Sequence, residues 1–191
     1  MDYKQEEFLS KQRALELWDS GDIDKIETGT FKGLAEIHRY IFQDVYSFAG
    51  ELRSVNIAKG NFRFAPVLYL ETSIKEIEKM PQNTFEECVD KYVEMNVAHP
   101  FREGNGRSGR IWLDKMLKAA VGKCIDWSQI DKESYLSAME RSPVNSLEIK
   151  HLLSSALITD ISSREIYMKG IDNSYRYEDV SIFDVDKFHI R

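Results

Sequence analysis

The chain has 191 residues, 42% of them hydrophobic and 30% charged, with a formal net charge of -6. That balance describes a globular domain able to bury a core, and it argues against a dedicated nucleic-acid binder, which carries a basic face. No apolar run approaches the ~18 residues of a membrane span, and the polar start Met1-Asp2-Tyr3-Lys4-Gln5-Glu6-Glu7 is no signal peptide, so a cytoplasmic protein is expected.

Helical spacing dominates. Phe8, Leu9, Leu15 and Trp18 mark a first helix, and Leu34, Ile37, His38, Ile41, Phe42 and Val45 a second. His38 sits inside that apolar stripe and reads as a core histidine. From 51 to 64 the pattern changes: Leu52-Arg53-Ser54-Val55-Asn56-Ile57 and Asn61-Phe62-Arg63-Phe64 alternate across Lys59-Gly60, which predicts a β-hairpin. Leu70, Ile74 and Ile77 mark a helix ended by Pro81. Thr84 is the expected N-cap of the next, with Glu86 and Glu87 favouring its start.

Beyond residue 110 the periodicity continues through Ile111, Leu113, Met116, Leu117 and Ala120 to Gly122, a C-cap residue. Helices are expected over 131–142 and 146–157, with Pro143 between them, and a last one from near Ser162. Tyr135 and Met139, four apart, would share a face that either lines a pocket or belongs to the core. Cys88 and Cys124 lack metal-ligand spacing and read as reduced, buried thiols. With four prolines and no linker or repeat, the expectation is a single, mainly all-α domain over 1–191 that carries one hairpin.

The chemistry concentrates in His99-Pro100-Phe101-Arg102-Glu103-Gly104-Asn105-Gly106-Arg107-Ser108-Gly109-Arg110. Pro100 disfavours helical geometry at His99, so the preceding helix ends there with an imidazole at its edge, suited to a general base. Glu103 is a hard oxygen donor for a magnesium ion that also binds substrate phosphates. Gly104 and Gly106 expose backbone N–H groups at a new helix N-terminus, an anion site. Arg107 and Arg110, three apart, reach one polyphosphate, and Phe101 anchors the loop. Together these parts suit the binding of a nucleoside triphosphate and attack on one of its phosphorus atoms. Residues 104–109 also spell G-x-G-x-x-G, but a dinucleotide site needs a strand before it and 85–98 reads as a helix.

Residues 99–110 match every fixed position of H-P-F-x-D/E-G-N-G-R-x-x-R, and so the chain resembles the Fic family. The likeness extends upstream through Ile37-His38-Arg39, Phe42, Val45-Tyr46, Ala49-Gly50 and Arg53, with Phe48 where many members carry Trp. The resemblance implies a protein adenylyltransferase that moves AMP from ATP onto a Tyr, Thr or Ser hydroxyl of a target protein. His99 would be the base and Glu103 the magnesium ligand. Gly104, Asn105 and Gly106 would form the anion hole, and Arg107 and Arg110 would bind the distal phosphates. The hairpin at about 51–64 would be the flap along which the target docks, with Lys59 near the nucleotide. A phosphate-transferring branch carries Lys where this chain has Gly106. Homo-oligomerisation is also an expectation.

Ser174-Tyr175-Arg176-Tyr177-Glu178-Asp179 resembles the family's inhibitory motif: Ser or Thr, three residues, Glu, then Gly or Asn. Asp179 departs from it. The resemblance implies a self-inhibited, class III member whose C-terminal helix, about 172–180, carries Ser174 and Glu178, with Glu178 contacting Arg110. Self-modification at Tyr175 or Tyr177 is a further expectation. The rival readings are AMP removal with Glu178 orienting water, and an inactive nucleotide-binding interaction module.

Overall fold

The computed structural model describes residues 3–59, 62–177 and 182–184. The first third of the chain forms α1 (Tyr3–Asp19), the one-turn α2 (Asp22–Lys25) and α3 (Phe31–Phe42). It is followed by the short strands β1 (Ile57–Lys59) and β2 (Phe62–Arg63). Next come α4 (Val67–Lys79), α5 (Phe85–Ala98), α6 (Asn105–Val121) and β3 (Cys124–Ile125). The chain continues with α7 (Lys132–Arg141), α8 (Leu147–Ser155), β4 (Leu157–Ile158), α9 (Arg164–Arg176) and β5 (Ile182–Asp184).

Helix α6 is the axis of the molecule. It packs on α5, α3 and α9, while α1 closes against α3 and α9. Trp112, Leu113, Met116 and Leu117 on α6 are fully buried, as are Ile37 and Phe42 on α3 and Val89 on α5. A helix surrounded in this way holds its first two turns rigidly, and those turns carry Arg107 and Arg110. At Gly109 a Cβ would lie 3.4 Å from the Tyr92 ring, an ordinary contact distance, so α5 packs directly on this face of α6.

Several predicted boundaries hold for the predicted reasons. Thr84 caps α5 in a reciprocal capping box with Glu87, and Gly122 ends α6 at φ 64°. Other expectations need correction. Helix α1 forms, but Phe8 is 67% exposed; its buried line is Ser10, Ala14 and Leu17. The hairpin is shorter than 51–64. Among the described residues the registered pairs are Ala58↔Arg63 and Lys59↔Phe62, with one more bond from Phe64 N–H to the Ile57 carbonyl at 3.4 Å. The stretch before the hairpin bonds elsewhere. The Arg53 N–H donates to the Pro100 carbonyl at 2.8 Å, and Asn56 Oδ1 accepts from Val67 N–H at 2.9 Å.

Two pairings were not anticipated. Cys124–Ile125 pairs antiparallel with Leu157–Ile158. Strand β5 pairs antiparallel with β1, giving a three-stranded sheet ordered β2-β1-β5. The last helix begins at Arg164, capped by Ser163 and close to the expected start near Ser162. The stretch expected to be inhibitory, about 172–180, falls at its C-terminal end, and its described part ends at Arg176. Glu178 and Asp179 lie outside the described residues.

Candidate active site at the junction of helices α5 and α6

His99 is the C-cap of α5, with φ 50° and ψ 65°. Among the described residues it is the one non-glycine residue with positive φ, a conformation that costs about 1–3 kcal/mol and needs surrounding structure to hold it. That structure is Arg53, itself buried. Its Nε donates to the His99 carbonyl at 2.7 Å and an Nη donates to the Ala98 carbonyl at 3.0 Å. A cation on the last carbonyls of a helix also suits the helix dipole. The imidazole stacks on Phe64 with centroids 3.6 Å apart. Its Nδ1–H donates to the Asn96 carbonyl at 3.1 Å, which leaves the lone pair of a neutral ring on Nε2, the basic nitrogen.

The loop between the helices is pinned from below. Phe101 is fully buried and stacks on His38 at 3.9 Å. The Asn105 side chain clamps the backbone of Phe101, its amide oxygen accepting from the N–H and its NH₂ donating to the carbonyl, both at 2.8 Å. With its side chain bonded to Phe101, Asn105 has its backbone left for the expected anion hole. Gly104 sits at φ 78°, where a Cβ would come within 2.5 Å of the Phe42 ring, so only glycine fits the entry to α6. Gly104 provides no side-chain cap, so the first N–H groups of α6, at Asn105, Gly106 and Arg107, head a helix N-terminus of the kind that binds anions.

His38 proves to be a structural tie within this loop. Its Nδ1 accepts from Gly50 N–H at 2.9 Å, so its Nε2–H donates to the Glu103 carbonyl at 2.8 Å. Burial pushes its pKa down to about 4, and the neutral tautomer that these two bonds require is the stable form.

The two arginines diverge. Arg107 pairs with Glu6 of α1 at 2.9 Å and with Glu103 at 3.4 Å, lies over the Phe42 ring, and donates to the Tyr46 hydroxyl at 3.3 Å. Arg110 turns toward α9: Nε donates to Ser174 Oγ at 2.8 Å and an Nη donates to the Ser174 carbonyl at 3.1 Å. A further Nη donates to the Tyr135 hydroxyl at 3.4 Å, and the Trp127, Tyr135 and Tyr177 rings flank the guanidinium. Tyr135 is thus buried beside Arg110, and Met139 is buried in the core. A cavity of about 30 Å³ bounded by Arg110 and Ser174 remains between α6 and α9, room for about one water.

The structure brings His99, Glu103, Gly104, Asn105, Gly106, Arg107, Arg110 and Ser174 to one junction. Lys59 lies on the hairpin, paired with Phe62 and Ile182. The Tyr175 hydroxyl is bonded to Ser10, and the Tyr177 hydroxyl donates to the carbonyls of Ile130 at 2.8 Å and Trp127 at 3.2 Å. Both rings are buried, so self-modification at either requires α9 to detach first. His38 is the buried core histidine that the sequence indicated, with both ring nitrogens bonded, and two contributors escaped the reading: Glu6 and Arg53. Arg53 lay in view within the matched upstream segment; nothing in the sequence links Glu6 to Arg107, 101 positions away.

Among the described residues no helix is long and apolar enough to cross a membrane. The profile of the Fic/DOC family matches residues 29–117. The chain is 30% identical over 167 residues to the protein adenylyltransferase VbhT of Bartonella schoenbuchensis, covering 81% of this chain and 34% of that one, so it spans about a third of VbhT. In three dimensions it is similar to BepC, a VirB-translocated Bartonella effector protein from Bartonella tribocorum crystallised with bound AMPPNP. That match has a TM-score of 0.67 and 21% identity over 82% of this chain and 86% of the other, which speaks for the fold. Identity to the probable protein adenylyltransferase Fic of Escherichia coli is 30% over 69% of this chain and 71% of that one. To the probable protein adenylyltransferase y4lH of Sinorhizobium fredii it is 32%, over 72% of this chain and 74% of the relative. At that identity across most of two relatives, the chain belongs to the Fic/DOC family.

Proposed function

We propose that the protein transfers AMP from ATP to a hydroxyl side chain of a target protein, and that its C-terminal helix restrains the reaction. The observation that carries the reading is the placement of His99 directly before the N-terminus of α6. A base and an anion-binding helix end stand on either side of one short, rigid loop. The protein adenylyltransferase names of the relatives support the same chemistry.

In this reading the target hydroxyl loses its proton to His99 Nε2 as its oxygen bonds to the α-phosphorus, and the bond to the departing pyrophosphate breaks. The α6 N-terminus stabilises the developing charge, and Arg107 and Arg110 hold the β- and γ-phosphates. Glu103 suits magnesium. Among the described residues no three His, Cys, Asp or Glu side chains gather as a metal cluster, and one carboxylate plus substrate phosphates is how magnesium is commonly held. When bound, the ion would neutralise phosphate charge.

The restraint is supported by Arg110, which spends its donors on Ser174 and Tyr135 and is enclosed by aromatic rings, so it cannot grip a γ-phosphate without α9 moving. Glu178, one helical turn beyond Ser174 in sequence, would add a charged partner to the same guanidinium. Target docking along the flap and the self-modification of Tyr175 or Tyr177 belong to the released state.

Incubation with lysate, magnesium and ATP labelled at either the α- or the γ-phosphate tests the reading. Protein-bound label from the α-position alone, absent in His99→Ala, is expected. Label from the γ-position would mean phosphate transfer. Release of AMP from a modified target by the wild type, lost in Glu178→Gly, would instead favour the reverse reaction. ATP binding without turnover in the Glu178→Gly variant would mean an inactive module.

A further inference from the structure

We infer that residues 182–184 act as a tethered competitor of the target, occupying the strand edge through which the hairpin would dock it. This rests on the adenylyltransferase reading for what the edge is used for, and on the sheet geometry for what fills it.

A two-stranded hairpin has two open edges. The outer edge of β2 is only Phe62–Arg63, after which the chain leaves the ladder and Ala65 N–H donates to the Val97 carbonyl at 3.1 Å. The longer edge belongs to β1, and it is taken: Ile57, Ala58 and Lys59 stand opposite Asp184, Phe183 and Ile182 in antiparallel register. The backbone direction of each residue follows from the ladder. Phe64 N–H donates to the Ile57 carbonyl at 3.4 Å, so Ile57 faces β2. Orientation alternates along a strand, so Ala58 presents its N–H and C=O to the opposite side, where Phe183 lies.

The occupant has the backbone of a docked strand and lacks the reactive group. Ile182, Phe183 and Asp184 carry no hydroxyl, so the paired residues can be aligned and cannot accept AMP. The same segment follows α9 after residues 177–181. The helix that engages Arg110 and the strand that fills the flap edge are therefore one continuous piece of chain. Its release opens the nucleotide end and the target end together. A segment tethered this closely acts at about millimolar effective concentration, enough to raise the apparent dissociation constant of an added strand about tenfold if it binds with a constant near 0.1 mM.

The test uses the full chain and two matched prolines. Phe183→Pro removes the N–H directed at β1. Asp184→Pro removes an N–H directed away from it and is the kind of edge position that tolerates proline. Amide hydrogen exchange at Ala58 is expected to rise about tenfold or more in Phe183→Pro and to stay near wild type in Asp184→Pro. Unchanged exchange at Trp112 and Leu113 would establish that the fold is intact. A labelled synthetic peptide of residues 180–187 should bind Phe183→Pro about tenfold more tightly than wild type, in fluorescence polarisation without ATP. Equal Ala58 exchange in wild type and Phe183→Pro, or equal peptide affinity, would overturn the inference. An AMP adduct on Ser181 of the wild type would also overturn it, because the segment would then be a substrate. Neither exchange nor peptide binding depends on AMP transfer, so a failure of the proposed activity would leave these readouts standing.

Discussion

Arg110 and Ser174 are joined twice: Nε donates to the serine hydroxyl at 2.8 Å and an Nη donates to the serine carbonyl at 3.1 Å. Both residues are buried, so the contact fastens α9 over the arginine proposed to bind phosphate. Ser174→Ala removes the side-chain bond and leaves the carbonyl bond. A hydrogen bond to a charged group is worth about 1.5–3 kcal/mol. The variant should therefore raise the initial rate of AMP incorporation about tenfold, measured with α-labelled ATP. A rate equal to wild type would show that α9 does not limit the reaction through this contact.

Glu6 acts on the other arginine. Its pairing with Arg107 at 2.9 Å places a carboxylate where the proposed reaction needs a phosphate. Glu6→Gln keeps the shape and removes the competing charge. The expected outcome is a KM for ATP lowered several-fold, with stability reduced by about 1–3 kcal/mol from the weakened tie between α1 and the motif. Steady-state kinetics and chemical unfolding separate the two effects.

Arg53 holds the backbone of His99, the proposed base, through the His99 and Ala98 carbonyls. Arg53→Lys cannot reproduce a planar fork that reaches both the Ala98 and His99 carbonyls. Loss of these buried bonds is expected to cost about 2–4 kcal/mol of stability. It should also lower kcat more than the KM for ATP, because His99 drifts while the phosphate site stays.

Much of this site was legible in the sequence, for local reasons. Pro100 after His99, the capping pair Thr84 and Glu87, and the glycine entry to α6 act through neighbouring residues, and their consequences follow from backbone rules. Gly104 is the clearest case, since both its φ and the approach of Phe42 demand glycine. What escaped depends on tertiary partners. The α1 face was misjudged because it includes the polar Ser10, which is satisfied by Glu6 and Tyr175. The hairpin was overextended because Leu52, Val55 and Ile57 interspersed with polar residues resemble a strand, yet Arg53 and Asn56 bond to Pro100 and Val67. The β1–β5 pairing joins residues more than a hundred positions apart, and three-residue strands leave little periodicity to read.

Two buried titratable groups predict opposing acid responses. His38 has its pKa lowered to about 4 by burial, so the unfolded chain binds the extra proton; its contribution is present above pH 6.5 and lost as pH falls toward 4. Asp114 is raised to about 6 by burial, against its bonds from Ile125 and Trp127. Its contribution is present below its unfolded value of 3.8 and is lost as pH rises toward 6. Each spans roughly 3 kcal/mol, and between pH 4 and 6 they nearly cancel. His38→Gln should then lose stability as pH rises across that window, and Asp114→Asn should gain it. Denaturant unfolding at several pH values checks both signs.

The central claim is that a complete AMP-transfer site, with His99 as base, stands restrained by the C-terminal segment. Its most direct test is the initial rate of protein labelling from α-labelled ATP and magnesium, compared among wild type, Glu178→Gly, and Glu178→Gly with His99→Ala. The account predicts labelling by Glu178→Gly at least about tenfold above wild type and none in the double variant. Equal rates in wild type and Glu178→Gly would contradict the restraint, and labelling that survives loss of His99 would contradict the chemistry.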